Sequence, residues 1–88
     1  MSPTYLACEI LCSVPTQERR TILAGFPCRA EEHAIHAAWA VMAHERHTDA
    51  DLDPNPEKAA RALSMARSRA KSAADLGHTL AASLLATL

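Results

Sequence analysis

Aromatic and β-branched residues are scarce in this sequence. Phe, Tyr and Trp together number three among 88 residues, and Val and Ile together number five. Because strands need such side chains to cover a pleated surface, their scarcity excludes a fold rich in β-sheet. Alanine is abundant instead, with nineteen copies, and it is the strongest helix former. Length and composition therefore predict a single all-α domain over residues 1–88.

Long apolar runs and an excess of charge of one sign are also absent. The longest unbroken apolar run, residues 37–43, is too short to cross a membrane, and the first residues lack the basic and apolar pattern of a secretory signal. The formal net charge of −1 provides no overall attraction to nucleic acid or to an acidic membrane. We therefore expect a cytoplasmic protein that does not bind membranes.

Cysteine is too sparse for a disulfide framework. The three cysteines are odd in number, and Cys8 and Cys12 lie one helical turn apart. Cys28 and a histidine could form a thiol–imidazole pair, but no glycine-rich turn accompanies them to stabilise an oxyanion. The sequence therefore predicts a protein that is not an enzyme and that needs no cofactor.

Prolines, capping residues and one glycine divide the chain into helices. Ser2 and Asn55 are each followed by proline, which is typical of a helix start, whereas Gly77 is expected to kink or split the last helical region. The expected fold is a small bundle of four to five helices, in which a long C-terminal helix packs on a central helix bearing His and Trp. The predicted helices cover residues 3–13, 16–24, 29–47, 56–76 and 78–87, with an acidic linker at 48–55.

The long C-terminal helix carries a narrow stripe of small apolar side chains. Alanine stripes let two helix axes approach to about 8 Å while burying little area per residue. We therefore expect the large side chains of the central helix, Ile35, Trp39 and Met42, to pack against this stripe. The alternative is that the stripe packs against a second copy of the chain in a homodimer. The stripe consists of Ala59, Ala66, Ala73 and Leu80, with Leu63, Ala70 and Leu84 beside it.

Four of the five histidines share one face of the central helix, namely His33, His36, His44 and His47, within an arc of about 80°. The outer two are about 21 Å apart along the helix, so one ion cannot bind all four. Two chains packed antiparallel would bring the first pair of one chain to the second pair of the other. A dimer that binds Zn²⁺ or a similar transition metal is therefore one alternative, and Cys28, His78 or an acidic residue could instead complete a site within one chain.

Between the two histidine pairs, the same face of the central helix carries Ala37, Ala40 and Ala43. Small side chains are typical of a contact surface, because a solvated face usually carries Lys and Glu. The main prediction is a non-enzymatic interaction module that binds a partner protein or itself. The small size of the chain and its lack of catalytic motifs suit an accessory or inhibitor protein of a mobile genetic element. A homodimer seam on this face should weaken below about pH 6.5, when histidine becomes charged. The predicted partner-binding residues are His33, His36, Ala37, Ala40, Ala43, His44, His47, Arg61, Arg67 and Lys71.

Basic residues are concentrated in the last third of the chain. Residues 1–55 carry a net charge of −4 and residues 56–88 a net charge of +3. Arg61, Arg67, Arg69 and Lys71 could contact phosphates, but no aromatic side chain lies among them to stack on bases. Weak, salt-sensitive binding of nucleic acid is therefore only a second alternative.

Overall fold

In the computed structural model, the described residues, 2–24 and 29–88, form five helices and no strand. This confirms the predicted all-α bundle. None of these helices has both the length and the apolar character needed to cross a membrane. The helices are α1 (Pro3–Cys12), α2 (Thr16–Leu23), α3 (Arg29–Thr48), α4 (Pro56–Asp75) and α5 (Thr79–Thr87).

The starts of α1 and α4 are set by local capping. The Ser2 hydroxyl accepts a hydrogen bond from the backbone N–H of Tyr5 at 3.2 Å, and the Asn55 side chain accepts one from that of Lys58 at 3.0 Å. Proline occupies the first turn of both helices, where its missing N–H costs nothing. Both helices therefore start at the predicted residue, because the signal lies within a few neighbouring positions.

Gly77 separates α4 from α5. Its φ of +95° lies in the left-handed region that side chains disfavour, and its N–H donates to the Ala74 carbonyl at 2.9 Å. The N–H of His78 donates to the Ala73 carbonyl at 3.0 Å, which completes a Schellman motif. The chain therefore turns here, and Leu80 and Leu84 belong to α5 instead of extending the α4 stripe.

The most extensive interface in the fold joins α3 to α4 as an antiparallel hairpin. At one end the Asn55 N–H donates to the His47 carbonyl at 2.9 Å, and at the other Arg69 contacts His33. Alanines of both helices are buried between these ends in one core cluster. They include Ala37 and Ala40 of α3 and Ala66, Ala70 and Ala73 of α4.

The prediction that bulky residues of α3 cover the α4 stripe is corrected by this packing. Trp39 is 44% exposed, and Ile35 is buried in a separate small cluster with Val14 and Ile22. Met42 is only partly buried at the edge of the main core. Two alanine faces pack on each other because small side chains let the helix backbones approach closely, whereas a tryptophan between them would hold the helices apart.

The other helices complete the core around this hairpin. From α1, Leu6 and Ile10 reach the main cluster, and Leu84 of α5 is fully buried in it. The Thr4 hydroxyl donates to the Glu45 carboxylate at 2.8 Å, which ties the start of α1 to the end of α3. One flank of the α3–α4 hairpin is therefore covered by α1 and α5.

Candidate functional site

His33 contacts α4. The Nη1 atom of Arg69 lies 2.8 Å from Nδ1 of His33. A guanidinium group can only donate, so Nδ1 accepts and must carry no proton. The first histidine of the predicted face is therefore part of the α3–α4 contact.

His36 contacts Trp39 on the outer flank of α3. The two rings are nearly perpendicular, at 84°, with centroids 5.9 Å apart, which is a favourable edge-on geometry. Burial lowers the pKa of His36 below its ordinary value of 6.5, and the charge of Arg69 lowers it further, against the opposing effect of Glu32. The neutral imidazole is therefore favoured here.

His47 holds the connection between α3 and α4. Its Nδ1 atom lies 2.9 Å from the Asp53 carbonyl oxygen and 3.4 Å from the Asp53 carboxylate. Because a carbonyl can only accept, Nδ1 carries the proton and donates. Within the same connection, the Asp51 N–H donates to the Asp49 side chain at 2.8 Å. The acidic linker is therefore an ordered turn, and the contact of Asp53 with His47 holds it against the end of α3.

Two alanines of the histidine face of α3 are covered, whereas its four histidines are partly exposed. Ala37 and Ala40 are buried under α4, so they are not available to a partner, and this part of the predicted surface is corrected. Within residues 2–24 and 29–88, no three His, Cys, Asp or Glu side chains come close enough to share a metal ion. Cys28 lies outside the described residues. The antiparallel four-histidine arrangement would require α4 to leave the face that it covers.

The predicted basic residues of α4 have different neighbours. Arg67 donates from Nε and Nη2 to the Leu88 carbonyl oxygen at 3.3 and 3.0 Å, and Lys71 pairs with Asp75 at 2.9 Å. Arg61 instead lines a shallow depression on the outer flank of α4. Arg61, Arg67 and Lys71 are all exposed, and binding of nucleic acid by these residues stays a prediction.

Two large apolar side chains of the hairpin are exposed, Trp39 of α3 at 44% and Met65 of α4 at 54%. Met65 lines a depression with Arg69, whose Nη1 atom lies 2.8 Å from Nδ1 of His33 on α3, and Trp39 contacts His36. Trp39 and Met65 line two separate depressions that share no lining residue. We call the residues that line them the Trp39–Met65 face, which comprises Trp39, Met42, Ala43 and Arg46 of α3 and Arg61, Ser64, Met65, Ser68 and Arg69 of α4.

Sequence reasoning missed this face because it assigned the tryptophan to the core. Trp39 and Ala43 line one small depression with Arg46, of about 190 Å³, and Met65 lines the other. Large apolar side chains are normally buried, so only knowledge of which helix covers which face could have placed Trp39 outside. The available signal was the position of Trp39 at the margin of the alanine stripe.

Comparison with known proteins provides no relative of this chain. No protein-family model matches it, and no curated protein or solved structure matches it either. The functional argument therefore depends on the surface geometry described above.

Proposed function

We propose that this protein is a non-enzymatic interaction module that binds a partner protein through the Trp39–Met65 face. The observation that carries the proposal is the exposure of the only tryptophan, at 44%, together with that of Met65, at 54%, on the helix that pairs with it. Tryptophan, methionine and arginine are enriched in the centres of protein interfaces, and tryptophan and arginine dominate their binding energy. An accessory or inhibitor protein acts by binding its partner and catalyses no reaction.

The charges on this face indicate the chemistry of the partner. Arg46, Arg61 and Arg69 border the two exposed apolar side chains, and Glu32 is the carboxylate that acts on His36 at one end. Complementary charge suppresses wrong partners and orients the right one. The partner is therefore an amphipathic helix with an apolar stripe flanked by carboxylates, which lies along the α3–α4 hairpin.

The fluorescence of Trp39 reports directly on this binding, since the chain has no other tryptophan. A designed helical peptide with a leucine stripe flanked by glutamates should shift the Trp39 emission to shorter wavelength and protect it from acrylamide. The same peptide with lysines in place of the glutamates should have little effect, because it meets the arginines with like charge. Equal responses to both peptides would contradict the proposal.

Two variants test whether the response comes from this face. Met65→Ala should weaken binding of the acidic peptide by about tenfold, which is typical of a central interface residue. Tyr5→Ala is the matched control, because Tyr5 is similarly exposed, at 51%, but lies on α1. Equal losses in both variants would show that binding does not depend on this face.

Other occupants of the face are distinguishable in the same experiment. A shift of the Trp39 emission with anionic vesicles or duplex DNA, and none with the acidic peptide, would show that the face binds a membrane or a nucleic acid. Sedimentation that shows a dimer with protected Trp39 in the absence of peptide would indicate that the face binds a second copy of the chain. Each of these outcomes overturns the proposal.

A further inference from the structure

A second candidate site lies on the opposite flank of the α3–α4 hairpin. A cavity of about 340 Å³ opens where α1, α3, α4 and α5 meet. Its size lies at the lower end of the range typical of small-molecule sites. Arg67, which lines it, is two positions after Met65 on α4, and two positions turn a helix by about 200°. The cavity is therefore separate from the Trp39–Met65 face.

The cavity has an apolar wall on the hairpin. Val41 of α3 and Leu63 and Ala66 of α4 form this wall, and Leu88 adds apolar surface from the end of α5. Val41 and Ala66 are buried in the main core, so this wall is firmly packed. A short hydrocarbon chain fits against such a surface.

Two nitrogen-bearing side chains converge on the same cavity. Arg67 uses Nε and Nη2 to hold the Leu88 carbonyl oxygen, which leaves Nη1 of its five-donor guanidinium for another acceptor. The His44 imidazole also lines the cavity and has no hydrogen-bond partner among the residues that the structure describes. Glu45 also lines the cavity, and its Oε2 atom accepts the Thr4 hydroxyl.

We propose that this cavity binds a small carboxylate with a short hydrocarbon chain. The carboxylate accepts charge-assisted hydrogen bonds from the Arg67 guanidinium and a further hydrogen bond from the His44 ring. The hydrocarbon chain lies on Val41, Leu63 and Ala66. The proposal does not depend on the Trp39–Met65 face.

Hexanoate is the probe for this site. Titration followed by NMR should shift the methyl signals of Val41, Leu63 and Leu88 and the ring signals of His44 in a saturable way. Hexanol and hexylammonium share the hydrocarbon chain but lack the carboxylate, so they should bind at least about tenfold more weakly. Equal shifts with hexanol, or stronger binding of hexylammonium, would overturn the assignment of a carboxylate, and absence of shifts with hexanoate would overturn the site.

Matched variants test the role of Arg67. Arg67→Gln should weaken hexanoate binding by about tenfold or more, because a charged hydrogen-bond donor is lost. Lys71→Gln removes the same charge one turn further along α4, where the side chain pairs with Asp75, and should leave binding unchanged. Equal effects of the two variants would show that only the net charge matters.

If Arg67→Gln disturbs the fold by releasing Leu88, a second variant still tests the site. His44→Leu introduces an apolar side chain of similar size and removes the ring donor, so it should weaken hexanoate binding more than hexanol binding. An equal effect on both ligands would contradict a hydrogen bond from His44 to the carboxylate.

Discussion

At the scale of single residues, the alanines of the α3–α4 seam are as large as their positions allow. Ala37 and Ala70 have no solvent exposure, and both belong to the main core cluster. Protein interiors are close-packed, so a larger side chain at such a position forces neighbouring atoms or helices apart. The methyl groups in the seam are therefore a packing requirement of the hairpin.

Enlarging one of these methyl groups should destabilise the fold. We expect Ala70→Leu to lower the free energy of unfolding by about 1–3 kcal/mol, the usual cost of overfilling a packed core. Ala60→Leu is the matched control, because Ala60 is exposed on the same helix and leucine is also a good helix former. Its effect should stay within about 0.5 kcal/mol. Urea unfolding of the unsubstituted protein and the two variants measures both changes. If Ala70→Leu leaves the free energy of unfolding unchanged, the result would contradict close packing of α3 on α4.

At the scale of helices, α5 depends on its neighbours and on its cap. With nine residues it is too short to be stable alone. The Nδ1 atom of His78 accepts a hydrogen bond from the Ala81 N–H at 3.1 Å and so caps the first turn. Leu84, fully buried, anchors the helix in the core. A histidine is therefore used here where serine, threonine or asparagine is common.

The capping role predicts different effects for two substitutions of His78. His78→Ala removes the acceptor and should lower the free energy of unfolding by about 1 kcal/mol. His78→Asn retains a side-chain acceptor at the cap and should recover most of that loss. Urea unfolding distinguishes the two variants, and equal losses would show that His78 acts through packing alone.

At the scale of the whole molecule, the histidines make stability depend on pH. Burial lowers the pKa of His78 below its ordinary value of 6.5, against the opposing effect of Glu31, and it also lowers that of His36. A lowered pKa in the folded state means that the unfolded chain takes up protons first. Stability should therefore be complete above pH 6.5 and decrease as the pH falls below it towards the lowered values.

This pH effect should belong to each chain by itself. We expect the thermal midpoint to be lower at about pH 5.5 than at about pH 7.5, by the same amount at protein concentrations about tenfold apart. The reason is that these histidines face groups of their own chain. A midpoint that rises with protein concentration at the higher pH would contradict this, because it would indicate a dimer that acid dissociates.

Helix positions were predictable because their causes are local. Ser2, Asn55 and Gly77 act on neighbours within a few residues, and the predicted boundaries agree with the observed ones to within one residue. The partner of each helix face was not predictable in the same way. Either the side of α3 that carries Trp39 or the side that carries its alanines could pack on α4. Which of the two does so depends on how closely the two helices approach in three dimensions.

The sequence by itself determined the class of fold and, to within one residue, the places where the described helices begin and end, because propensity and capping are properties of short segments. Only the tertiary structure decided that the two alanine faces pack on each other. That packing covers Ala37 and Ala40 and leaves Trp39 outside. It also brings Arg67 and His44 to one cavity. The physical reason is that burial is a property of pairs of surfaces, and a sequence pattern describes only one surface at a time.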